Sequence, residues 1–134
     1  MRVRFFGTEA FRGASPRKVD FLIKTAIGYV WRARKPQRWP DARKRRRGQH
    51  EKVHWRTAAV LLIFMYNLRI SYRGMEGFLD SRPELLRKLG LRKTPWRMTL
   101  NNAYWRLDHE WFRDLNKRIV AHVENEEKRR KARA

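Results

Sequence analysis

Residues 32–56 read RARKPQRWPDARKRRRGQHEKVHWR. Eleven positive side chains stand there against two acids, Asp41 and Glu51: Arg32, Arg34, Lys35, Arg38, Arg43, Lys44, Arg45, Arg46, Arg47, Lys52 and Arg56. A buried charge without a partner is far too expensive to fold inward, so this stretch must meet water or a polyanion. It lies between two apolar helical patterns and is punctuated by Pro36, Pro40 and Gly48, with no apolar period of its own. The fold must therefore be assembled from what lies on either side.

The balance of the whole chain points the same way. Its 134 residues carry a net charge of +21, well beyond what solubility requires. Such self-repulsion opposes compaction unless a partner neutralises it, and nucleic acid is the commonest partner for it. Arginine outnumbers lysine 24 to 10; its planar fork suits phosphate, and the bias equally fits a GC-rich source. With 42% apolar and 13% aromatic residues the chain has material for one core. There is no cysteine, hence no disulfide framework and no thiolate metal site. MRVRFFGTEAF has no signal-peptide apolar region, and the apolar run at 57–66 is too short to span a membrane, so it reads as a buried helix.

In chain order, residues 1–14 read as an arm with Arg2, Arg4 and Arg12, and with Phe5, Phe6 and Phe11 as anchors on the body or a neighbouring subunit. Ser15-Pro16 starts a helix over 16–34, with Val19, Leu22, Ile23, Ala26, Ile27 and Val30 as its apolar stripe, stopped by Lys35-Pro36. Trp39 is the one large hydrophobe of the basic segment, a wedge on a duplex or a packing anchor. A second helix is predicted over 49–68, apolar nearly all round and hence central. Ser71 opens a third. Ser81-Arg82-Pro83-Glu84 reads as a capping box opening a fourth, which Gly90 closes. Thr99 caps a fifth and Asp108 a sixth, whose tail pairs Glu124 with Lys128, Glu126 with Arg130 and Glu127 with Lys131 at four-residue spacing. No strand alternation occurs. The expectation is an all-α helical bundle with a helix-turn-helix-like segment, divided into a basic N-terminal arm at 1–50 and a bundle at 51–134.

Catalytic patterns are few. His50-Glu51-Lys52-Val53-His54 matches H-E-x-x-H, which on a helix sets two histidines on one face beside a general-base glutamate. The extended form with a third histidine is missing, since Arg56, Thr57 and Ala58 follow; Glu76 is the conceivable third ligand. The adjacent RKRRR run repels a cation, so solvated or phosphate-touching histidines are the preferred reading. Asp80, Glu84 and Asp108 look like helix first-turn residues, and no glycine-rich phosphate loop is present. The chain is therefore read as no enzyme, with no cofactor and no metal. The run RKRRR also matches a nuclear-localisation signal, but nothing else in the chain favours a nucleus.

Within residues 58–120, LRISYRGMEGFLDSRPELLRKLGLRKTPWRMTLNNAYWRL resembles the N-terminal region of DDE-type insertion-sequence transposases. The matching features are Ser71-Tyr72-Arg73, Glu76 and Leu79, Pro83-Glu84-Leu85, Leu89-Gly90-Leu91, Pro95, Thr99-Leu100 and Arg106-Leu107, over about half the chain. The resemblance implies a small helical DNA-binding module. The helix at Thr99 would be its reader, with Arg97, Asn101, Asn102, Trp105 and Arg106 toward DNA and Trp105 alternatively in the core. The catalytic domain of that family, with its three carboxylates, is absent from this sequence.

A second resemblance concerns layout. Small, cysteine-free, strongly basic helical nucleocapsid proteins of filamentous archaeal viruses are similar in plan, with a helical arm and a compact bundle; dimers of such proteins wrap double-stranded DNA. This makes packaging of double-stranded DNA, largely independent of sequence, the first expectation: a homo- or heterodimer assembling into a filament, in a virion or the host cytoplasm. The alternative is a stand-alone or truncated transposase DNA-binding domain or a regulator derived from one, cytoplasmic and nucleoid-associated. An RNA-binding or ribosome-associated protein is the third class.

Overall fold

The computed structural model describes residues 9–39 and 53–133. These residues form an all-α bundle: a 3-10 turn (Glu9–Phe11), α1 (Pro16–Arg32), α2 (Trp55–Leu68), α3 (Tyr72–Asp80), α4 (Pro83–Lys88), α5 (Arg97–Arg106) and α6 (His109–Arg133). Arg2, Arg4, Phe5, Phe6 and residues 40–52, with Asp41, Arg43 to Arg47, His50, Glu51 and Lys52, lie outside the described residues.

The core is built around α2. Eleven of its fourteen residues are buried, because its sequence offers no polar face to turn outward. Leu22, Ala26 and Val30 of α1 and Ile119 and Val123 of α6 are fully enclosed, and α1 packs along both α2 and α6. Two polar ties fix these contacts. The Asn67 side-chain amide donates to Asn116 Oδ1 at 2.7 Å between α2 and α6, inside the core. Lys18 Nζ reaches Ala10 O at 2.6 Å and Glu124 Oε1 at 2.8 Å, joining the 3-10 turn, α1 and α6. Helix α1, which the sequence reading assigned to the N-terminal arm, packs into the bundle, its apolar stripe covered by α2 and α6.

Several local expectations hold and several shift. Ser15 caps α1 and Ser71 caps α3 through their hydroxyls. Gly90, at φ +71, closes α4 with Leu91 N–H bonded to Leu86 O and Gly90 N–H to Arg87 O, a left-handed closure that suits glycine. Asp108, also left-handed at φ +65, accepts from Glu110 N–H and starts α6. Ser81 does not open α4: it ends α3, its hydroxyl donating to Phe78 O, and Arg82 takes the N-cap position with its guanidinium turned back to Phe78 O rather than capping α4. The turn between these helices is too short to give Ser81 to both. Helix α2 begins at Trp55 rather than within 49–54, with His54 as N-cap. Helix α5 begins at Arg97 with Trp96 as N-cap, so Thr99 is an interior residue. In the tail, Glu124 crosses to Lys18, while Glu126 pairs with Arg129 at 4.0 Å and Glu127 with Arg130 at 3.7 Å, at three-residue instead of four-residue spacing.

Candidate nucleic-acid interface

Helix α5 follows a loop carrying Arg92 and Lys93 and rests on α2 through Leu100 and Ala103, both buried. At 3.6 residues per turn the side opposite those two is the row Met98, Asn102, Trp105, at positions i, i+4 and i+7. All three are exposed: Met98 at 43%, Trp105 at 48%, and Asn102 between them. Trp96, just ahead, is 70% exposed. Arg97 is exposed and Arg106 half-buried, so a cation stands at each end of the row. Trp105 is held edge-on by Tyr104, with ring centroids 5.2 Å apart, and is not a core residue. Asn101 is half-buried, and its Oδ1 is enclosed without a hydrogen-bond partner among the described residues. Of the two asparagines, Asn102 is the one that offers its acceptor to a ligand.

The basic segment is rooted beside the far end of this helix. Trp111, in the first turn of α6, donates its indole N–H to Arg34 O at 2.9 Å and meets Trp55 edge-on at 5.9 Å. Both roots of the segment therefore converge on one tryptophan, five residues beyond Arg106. Trp39 packs against the core and serves as an anchor. Arg34, Lys35 and Arg38 are exposed; Arg32 stacks over Tyr29 at 5.5 Å and bonds Gly28 O. Arg56 lies over the Trp55 ring at 4.9 Å and is half-buried. Burial first, and then the neighbouring Tyr66, pushes the hydroxyl of Tyr104, itself in α5, above its ordinary range.

The structure changes the H-E-x-x-H pattern at His54. That residue has extended backbone, φ −60 and ψ 146, and its Nδ1 accepts the Arg56 backbone N–H at 3.2 Å. It stands at the N-cap outside α2, and its cap bond needs a neutral Nδ1. Burial, then the Arg56 charge, lowers its pKa below the ordinary 6.5. The neutral form is thus the folded one, so stability is complete above about 6.5 and falls as pH drops from there toward the lowered value. Chemical denaturation at pH 7.5 and 5.5 checks this: the wild-type midpoint falls, and His54→Asn, which caps without titrating, loses part of that fall. An identical fall in both proteins rules His54 out as the source.

Among the described residues no three His, Asp or Glu side chains gather into a metal-sized group, and no helix is long and apolar enough to cross a membrane. Sequence reasoning did not find Met98 as a surface residue, because with Thr99 as cap it lay ahead of the helix; α5 starts three residues earlier, at Arg97, and carries Met98 on the face away from Leu100. Comparison of the chain with protein-family models, with curated proteins and with solved structures yields no match.

Proposed function

We infer that this chain is a non-catalytic double-stranded-DNA-binding module that places α5 against the duplex, in the manner of the transposase regions that residues 58–120 resemble. The observation that carries the reading is the outward row Met98, Asn102, Trp105 with Arg97 and Arg106 at its ends. Large apolar side chains left in water on a strongly cationic molecule call for a partner that is anionic yet offers apolar atoms, and the edges and methyl groups of stacked bases do so. The roots of the basic segment at Trp111 put phosphate-binding charge beside the same end of α5.

Packaging keeps one supporting observation, the net charge of +21, which matches the phosphates of about ten base pairs. Titration of the full chain with duplex DNA by fluorescence anisotropy tests the common claim. Micromolar or tighter binding in low salt is expected; no binding to any duplex there would overturn it.

A further inference from the structure

We propose that the α5 row recognises A·T base pairs by gripping thymine methyl groups with Met98 and Trp105 on either side of an adenine read by Asn102. The inference rests on the DNA-binding reading above and adds to it the chemistry of the site.

The argument starts from the spacing. Met98 to Trp105 is seven residues, or ~10.5 Å of helix. Base pairs stack at ~3.4 Å along a strand, so the row covers about three of them. Within that span the available side chains are of two kinds. Asn102 carries an acceptor and a donor on one planar group, the pair that matches adenine N7 and N6 in the major groove. Met98 has no N–H donor and Trp105 only a single indole N–H, so neither matches guanine O6 and N7 with two donors as arginine does, and neither offers a carboxylate to the cytosine amine; what both can bury is a methyl group, and thymine C5 supplies the one methyl in that groove. Arg97 and Arg106 stand at the ends of the row, where a helix lying in the groove approaches the phosphate walls. The enclosed Asn101 Oδ1 leaves a single asparagine to read, which confines direct hydrogen-bond readout to one base pair and gives its neighbours to apolar contact.

Charge complementarity selects DNA over a protein partner for this patch: the loop before it carries Arg92 and Lys93, and α5 itself has no acidic residue. An apolar surface meant for a protein would gain nothing from that setting unless the partner were acidic.

The test uses the full chain. A duplex is enriched from a random pool at physiological salt, its thymines are replaced by uracil one at a time, and affinity is measured. Enrichment of a site containing adjacent A·T pairs is expected. Each contacted methyl removed should weaken binding about fourfold, the worth of one buried methyl-sized group. In Met98→Ala and Trp105→Ala the uracil penalty at the matching position should vanish, and in Asn102→Ala the preference for adenine at the central position should drop by about 5- to 150-fold. All three residues are exposed, and unchanged helical circular dichroism confirms folding. A selected site read through G·C pairs, or uracil substitution without effect at every position, overturns the inference while leaving DNA binding in place. Unchanged DNA affinity and preference in all three variants overturns it too and assigns the patch to a protein. No enrichment of any duplex together with no binding at low salt sinks the DNA-binding reading itself.

Discussion

A chain lacking residues 1–35 is expected to be unfolded or insoluble, not a smaller DNA-binding body. Helix α1 supplies Leu22, Ala26 and Val30 to the interior, each fully enclosed, with Phe21, Ile23, Ile27 and Tyr29 half-buried around them. At ~1.5–3 kcal/mol for a fully buried large apolar side chain, and half that for a half-buried one, the helix contributes ~6–12 kcal/mol of burial. A domain is stable by only ~5–15 kcal/mol in total. Its removal also bares Ile119 and Val123 of α6 and one side of α2, and leaves Glu124 without Lys18. The graded version is Leu22→Ala, for which a loss of ~2–5 kcal/mol and a Tm lower by about 10–20 °C are expected in calorimetry. A deletion that still melts cooperatively, with the helical content of α2 to α6 intact, would restore the arm as an appendage.

Most of the bundle was legible because its signals are local. Apolar spacing marks α1 and α2, serine hydroxyls mark the starts of α1 and α3, and Gly90 marks the end of α4, since each needs only its own few neighbours in sequence. What was not legible depends on contacts made at a distance. The periodic stripe of α1 says that it is covered and not by what; the partner is α6, about a hundred residues later. Glu124 has a suitable lysine four residues on, yet a half-buried Lys18 across the interface holds it more tightly than an exposed neighbour does. Asn116 looks like any polar residue of a surface helix until Asn67 is brought against it in the core. Ser81 stood at the junction of two helices, where one hydroxyl serves one end only.

The candidate site divides along the same line. Its charges were plain in the sequence, because charge needs no partner to be counted. Its shape was not: with Thr99 as the cap, Met98 stands ahead of the helix, and only a start at Arg97 adds it to the face that Asn102 and Trp105 share. His54, the last residue of the H-E-x-x-H match, is likewise placed by a contact the letters do not show, its Nδ1 capping α2.

Replacing Arg43, Lys44, Arg45, Arg46 and Arg47 by glutamine is expected to weaken duplex binding by roughly 10⁴ at 0.1 M salt and to flatten the salt dependence, while thermal stability stays within ~1 kcal/mol. Each phosphate neutralised releases condensed counterion and adds ~0.9 to the slope of log affinity on log salt, so five lost contacts remove about 4.5. Stability is insensitive because five charges that cannot be buried contribute nothing to the core, and their mutual repulsion is relieved. The same titrations separate the two ways of using the charge. A module that reads a site through α5 saturates as one discrete complex and prefers its site about a thousandfold or more over unrelated duplex. A packaging protein covers the duplex continuously, saturating near one subunit per ten base pairs with equal affinity for every sequence. Both lose affinity steeply with salt, so stoichiometry and sequence preference carry the distinction and the salt slope does not. A thousandfold preference that survives the glutamine substitutions while overall affinity collapses is the pattern expected of the proposed division, with the basic segment on phosphate and α5 on base edges. An unchanged slope in the substituted protein would show that the segment does not touch phosphate, and equal affinity for all duplexes would give the charge back to packaging.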